Sequence, residues 1–309
     1  MASSLSSELR VKGYAVVSSG SEDYSFDFIA AKQDEIVAIK LVERFDSKVR
    51  RAAEDLKRLG KSLDLAPLLV CHEGAVEDSL STYRGIPSLS YETLRRLIKG
   101  EEVPFIYFSR GGVYVKIRGE VVKAKRRERG MSLGELAYSL GVTRRMAYEY
   151  ETGRADATLE VASRLVRMFG DEVVEKLSFK SIHEYFSSRQ APEETPSDRV
   201  RDPLLKRFLE VLDELGYTRY LLERAPFQIA AGKREERRRL LIRKAEKSSG
   251  VEDRVTVDVA RVCRSQAILV TEGEVRVGSR YVIKVPGYAL EEAELKELVL
   301  EALSTCILS

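Results

Sequence analysis

The run from Ser132 to Gly153, S-L-G-E-L-A-Y-S-L-G-V-T-R-R-M-A-Y-E-Y-E-T-G, admits few local folds. Ser132 and Glu135 stand in capping-box spacing, so a helix is expected to begin there. Leu133, Leu136, Ala137 and Leu140 recur at helical period and mark one buried face. Gly141 then supplies a tight turn, because glycine tolerates positive φ. Thr143 is the expected N-cap of a second short helix.

An ordinary helical hairpin satisfies this spacing. So does a helix-turn-helix, whose second helix enters the DNA major groove. Three details favour the latter. The second helix opens with Arg144 and Arg145, which a purely structural hairpin does not need. Tyr148 and Glu149 follow as polar groups able to reach base edges. Basic residues crowd the segment: residues 116–167 hold 12 Lys/Arg against 7 Asp/Glu, in a chain whose net charge is only +3. A local patch of this kind suits phosphate contact.

The pattern E-L-A-x-x-L-G-V-T followed by Y-E-x-G resembles the Cro/repressor-type DNA-binding domain, over roughly residues 117–170. The resemblance implies double-stranded DNA as partner. It places Arg144, Arg145 and Glu149 where such domains read bases. Ser132, Thr143, Tyr148, Arg154, Lys125, Arg126 and Arg127 complete the expected DNA-binding surface.

A length of 309 residues suggests two or three domains. Cys71, Cys263 and Cys306 lie far apart with no metal spacing, which points to a reducing, cytoplasmic setting. Two histidines, His72 and His183, make a histidine-rich zinc site improbable. No signal peptide and no apolar run of about 18 residues occurs, so no membrane role is expected. Asparagine is absent and charged residues make up 33%, the bias of a thermophilic source.

Residues 1–102 alternate helix and strand signals, an α/β layout with a mixed sheet. Asp27 and Lys40 fall on adjacent strand-like runs. Glu8 on the first helix, Gly20-Ser21, Asp27 followed by I-A, and A-I-K ending at Lys40 are similar to archaeal Holliday-junction resolvases of the PD-(D/E)xK class. In that class two carboxylates bind a divalent metal and the Lys helps position or activate water. Ala38 stands where the second acid is required, so Glu8, Asp27 and Lys40 read as vestigial, with no catalysis, metal or cofactor expected. Two alternatives stay open: a plain α/β core in which Asp27 and Lys40 form an ion pair, and an active structure-selective nuclease with a relocated acid, Glu43. Gly60-Lys61-Ser62 lies late in a helix and lacks the first glycine of a phosphate loop, so a nucleotide-binding enzyme is rejected.

Residues 103–186 are assigned to a hairpin plus the Cro-like domain, with Val121, Val122, Ala124 and Leu159 expected inward and a short helix at 173–177. Residues 187–203, with three prolines and no apolar period, read as a linker. Residues 204–309 repeat the order of the first domain: F-D-F-I-A-A at Phe26 aligns with P-F-Q-I-A-A at Pro226, and L-L-V-C-H-E-G at Leu68 with I-L-V-T-E-G at Ile268. In that alignment Phe227 takes the Asp27 position and Leu241-Ile242-Arg243 the A-I-K position.

The fold class is therefore multidomain α/β plus all-α: a central Cro-like helical domain flanked by two nuclease-like mixed-sheet domains. The whole chain resembles an archaeal family of helix-turn-helix transcriptional regulators. A homodimer held through residues 1–100, 204–309 or both is expected, because Cro-like domains bind paired half-sites. The sequence names no small-molecule effector.

Overall fold

In the computed structural model, residues 2–189, 200–233, 236, 238–245, 250–271, 282–286 and 292–304 are described. The first unit opens with α1 (Ala2–Val11), β1 (Ala15–Ser18), β2 (Phe28–Lys32) and β3 (Glu35–Val42). It continues with α2 (Ser47–Leu63), β4 (Ala66–Cys71), β5 (Ser81–Tyr83), β6 (Ile86–Ser90) and α3 (Tyr91–Lys99). The sheet order is β1-β2-β3-β4-β6-β5. β1, β2 and β3 pair antiparallel, while β3, β4 and β6 run parallel. β4 is apolar throughout and buried at every position, as a strand covered on both faces must be.

The helical unit carries a hairpin, β7 (Ile106–Ser109) and β8 (Gly112–Val115), then α4 (Gly119–Glu128), α5 (Leu133–Leu140) and α6 (Arg144–Glu151). β9 (Ala157–Thr158) joins β8 to make three strands, and α7 (Leu159–Phe169) closes the bundle. A 3-10 turn at Asp171–Val173 and α8 (Phe179–Ser187) follow. The last unit holds α9 (Pro203–Glu214), β10 (Thr218–Leu221), β11 (Ile229–Lys233), β12 (Arg238–Ala245), α10 (Gly250–Val262), β13 (Gln266–Thr271), β14 (Val282–Pro286) and α11 (Glu292–Ser304). Its sheet runs β10-β11-β12-β13-β14, antiparallel over the first three strands and parallel after that. The first four strands thus share order and direction with β1-β2-β3-β4. Most of the expected linker, residues 190–199, lies outside the described residues. Among the described residues no helix is long and apolar enough to cross a membrane.

The two sheets are stacked through a shared middle layer. α2 packs on its own sheet and on β10 and β11; reciprocally, α10 packs on its own sheet and on β1 and β2. One core therefore joins Ile29, Ala38 and Leu56 to Ala230, Leu241 and Val259. The joint is also polar: Asp55 accepts from the Glu223 and Arg224 N–H groups at 2.7 Å each, and Tyr24 donates to Glu252 at 2.7 Å. Burial pushes the Asp55 carboxyl above the usual carboxylate range, and those two N–H groups pull it back. The α2 and α10 faces of the two α/β units are thus packed against each other within one chain.

α8 corrects the domain boundary. Leu177, Phe179, Ile182 and Tyr185 enter the outer core of the first sheet, beside Val103 and Phe105. The entering and leaving segments bond side by side: Phe105 N–H to Glu175 O at 2.8 Å, and Leu177 N–H to Val103 O at 2.8 Å. The helical unit is therefore inserted into the first α/β unit. The short helix expected at 173–177 is not formed, and the 3-10 turn and α8 stand on either side of it.

Register corrects the repeat alignment. Asp27 N–H donates to Ile39 O at 2.8 Å, and its Oδ2 accepts from Leu41 N–H at 2.6 Å. In the last unit Gln228 N–H donates to Ile242 O at 3.0 Å, and its Oε1 accepts from Lys244 N–H at 2.8 Å. Gln228, not Phe227, holds the Asp27 position. Phe227 matches Phe26, and both face the shared core.

Candidate nucleic-acid interface

The helix-turn-helix is built from its caps. Ser132 Oγ accepts from Glu135 N–H at 3.2 Å while Glu135 accepts from Ser132 N–H at 2.7 Å, closing the capping box. Gly141 takes the left-handed conformation at φ 69°, and Thr143 Oγ1 accepts from Met146 N–H at 3.2 Å. Arg164 covers an orphan carbonyl of α5 by donating to Leu140 O at 2.8 Å. The Ser132 N–H and hydroxyl hold the Glu135 carboxyl below the usual Glu range. A depressed acid stabilises above its unfolded pKa and loses that contribution as pH falls through the folded one, so the cap is complete at neutral pH. Ser132→Ala is expected to cost about 1 kcal/mol of domain stability, read by thermal unfolding at pH 7.

These caps leave one face of α6 toward solvent. Arg144, Arg145 and Tyr148 are exposed, and Arg145 is 86% exposed at its side chain. Arg145 Nε donates to Glu149 Oε1 at 3.0 Å, one turn along, which holds both groups over the same surface. Arg154, just past the helix, lies over the Tyr148 ring at 5.9 Å. The opposite face carries Ala147 and Tyr150 into a core with Leu136, Leu140 and Leu165.

α4 divides its basic residues. Arg127 is exposed. Lys125 pairs with Glu172, which raises its pKa. Arg126 does not face solvent: it pairs with Glu151 through Nε and Nη2, the second contact at 3.1 Å, and donates from Nη1 to Met131 O at 2.7 Å. The side chains of this pair are 12% and 3% exposed. Arg126 thus ties α4 to the end of α6, and Glu151, unremarked in the sequence reading, is its partner. The E of the Y-E-x-G motif was the available signal. Ala124 and Leu159, expected inward, are exposed, Leu159 at 52%.

The vestigial set is only partly assembled. Lys40 pairs with Asp27 at 3.0 Å and donates to Glu22 O at 2.8 Å. Both Asp27 oxygens are thereby engaged, one by Lys40 and one by Leu41 N–H. Ala38 is fully buried. Glu8 turns to Arg95, at 4.0 Å, and to Ser4. Glu43 is exposed beyond β3. Among the described residues no group of three or more His, Cys, Asp or Glu is gathered to hold a metal. The donor set does not fit Mg²⁺, which needs free carboxylate oxygens.

Two family matches bear on these sites. Residues 1–103 match the PD-(D/E)XK superfamily domain, and residues 122–172 match the helix-turn-helix family. Proteins provisionally named as HTH-type transcriptional regulatory proteins align along most of the chain. One from Thermococcus gammatolerans is 31% identical over 291 residues, covering 89% of this chain and 87% of its own length. One from Haloquadratum walsbyi is 32% identical, covering 82% and 79%. One from Thermoplasma acidophilum is 33% identical, covering 71% and 69%. No solved structure matches the chain. With relatives of this identity aligned along both partners, the chain belongs to the archaeal family of HTH-type transcriptional regulatory proteins.

Proposed function

We propose that the chain is a transcriptional regulator that binds double-stranded DNA sequence-specifically through α6. The observation that carries this is the exposed Arg144, Arg145 and Tyr148, with half-buried Glu149 held by Arg145, on a capped helix followed by exposed Arg154. An Arg suits guanine, and a Glu accepts from cytosine. Sequencing of genomic fragments retained at physiological salt tests it; enrichment no better than random would overturn it. On the best site, Arg145→Ala is expected to cost about 1–3 kcal/mol and to relax one base position. An equal loss on every sequence would make Arg145 a phosphate contact instead.

The flanking units are read as two copies of one nuclease-like plan that act as scaffold, not as an enzyme. Ala38 and the engaged oxygens of Asp27 support that reading over a metal-dependent nuclease. Cleavage of branched or linear DNA with Mg²⁺ that Lys40→Ala abolishes is the contrary result. Two chains are expected on a palindromic site, with half-sites about one helical turn apart. Since the α2 and α10 faces are spent inside each chain, the contact between copies uses other surfaces. A monomer by light scattering, both free and on DNA, removes the dimer from this reading.

A further inference from the structure

Two short hairpins end in the same dipeptide. β5 and β6 pair down to Tyr83 and Ile86, which leaves Arg84-Gly85 as the turn. β7 and β8 pair down to Ser109 and Gly112, which leaves Arg110-Gly111. Both arginines are exposed, and among the described residues neither guanidinium has a hydrogen-bond or ion-pair partner. Arg84 takes φ 51° and Gly85 φ 81°, a turn whose first central position favours Asn, Asp or Gly over a long cation. No Asp or Glu occurs in residues 79–91 or 103–119, in a chain that holds 49 of them. Each tip therefore presents a cation that its own hairpin does not neutralise.

The topology brings the tips to one end and ties them to the helix-turn-helix. Leu80, just before β5, bridges Tyr107 of β7 in parallel. β5 and β7 therefore run the same way, and their turns leave the sheet at the same end. β8 in turn pairs with β9, Tyr114 opposite Thr158 and Val115 opposite Ala157. β9 follows α6 after a short turn in which Arg154 lies over Tyr148 and Asp156 accepts from the Tyr107 hydroxyl at 2.7 Å. Ile106 and Val115 enter the core of the helical unit, while Tyr107 enters that of the first sheet. The β7–β8 hairpin is thus held in fixed register to the exposed side of α6. Its tip runs past the Tyr114–Thr158 pair by about 10 Å, on the side away from Arg154. It lies between the segments that match the two families.

We propose that the two Arg-Gly turns are a second contact with duplex DNA, gripping the phosphate backbone beside the bases that α6 faces. An arginine makes paired charge-assisted hydrogen bonds to phosphate oxygens, and the adjoining glycine lets the DNA backbone come close. Contacts of this class position the protein and carry no sequence information. The proposal rests on the reading that the chain binds duplex DNA.

The test measures the affinity of the full chain for its best retained duplex and for a duplex of unrelated sequence, over stepped salt concentrations. Arg84→Ala combined with Arg110→Ala is expected to weaken both by the same factor, about tenfold at low salt. The slope of log K against log salt is expected to fall by about 0.9 for each arginine. The Tm of the free protein is expected to stay, because neither side chain is bonded. Hydroxyl-radical footprinting is expected to lose protected backbone positions flanking the α6 site, with the preferred sequence unchanged. Arg254→Ala, an exposed arginine on α10, leaves affinity and slope unchanged. Wild-type affinity and slope in the double variant overturn the proposal. So does a loss confined to the preferred duplex, or one that Arg254→Ala reproduces. A wild type without sequence preference, whose binding still drops in the double variant, overturns the regulator reading and keeps this one. A clear sequence preference with a silent double variant does the reverse.

Discussion

Glu151→Ala is expected to destabilise the helical unit by about 3–5 kcal/mol, because it strands a buried arginine. Glu151 is 3% exposed at its side chain and Arg126 is 12% exposed, with both carboxylate oxygens engaged. Removing one partner leaves the guanidinium, among the described residues, with Met131 O as its acceptor. Urea unfolding followed by a probe in residues 119–169 reads the loss. Replacing both partners together, Arg126→Met with Glu151→Leu, is expected to restore most of it, since apolar packing avoids the cost of desolvating two charges. DNA affinity then returns with the fold. A stable double variant that no longer binds DNA would return Arg126 to the DNA surface and sink the assignment made here.

Gly232→Ala is expected to be comparably damaging, at about 3 kcal/mol or more, for a steric reason. A Cβ at Gly232 would lie 1.9 Å from the Ser62 carbonyl oxygen, and that oxygen belongs to α2 of the other α/β unit. Both groups are backbone, so neither can rotate away. The stacked units must shift apart, which opens the core that joins Ile29 and Leu56 to Ala230 and Val259. The expected result is a lower Tm and earlier proteolysis between the units. Gly250→Ala is the control, because nothing lies within 4 Å of a Cβ there, and it should be close to neutral. Equal Tm values for the two variants would contradict the close approach.

The parts legible in the sequence are those set by local chemistry. Ser132, Glu135, Gly141 and Thr143 are caps and a turn, and each acts within four residues of itself. The parts that escaped are set by distant partners. Arg126 reads as one more cation in a basic run, and only Glu151, 25 residues on, turns it inward. α8 is short, and its apolar face is matched to a sheet more than 90 residues earlier in the chain. The neighbouring proline-rich run therefore drew the boundary in the wrong place. The Gln228 position was missed by one residue because matching I-A-A residue for residue sets a register one residue away from that of the strand ladder. Only the ladder decides between them, and a one-residue slip exchanges the two faces of a strand. Asp27 and Lys40 were correctly named as neighbours, since paired strands bring them together, but their mutual ion pair was only one of the alternatives.

The insertion of the helical unit fixes an order of events on the ribosome. Chains emerge N-terminus first, and domains fold as they emerge. The first sheet cannot be finished when residue 102 appears, because Phe179, Ile182 and Tyr185 belong to its core. Its other face, which α2 covers in part, is completed only when Val255 and Val259 arrive. The helical unit, whose contacts are mostly local, is complete by Val174 and folds between those two waits. The nascent chain is thus expected to carry a finished helix-turn-helix on an unfinished platform. A truncated product ending near residue 174 and released from the ribosome should offer a folded α6 while its first sheet still recruits chaperones.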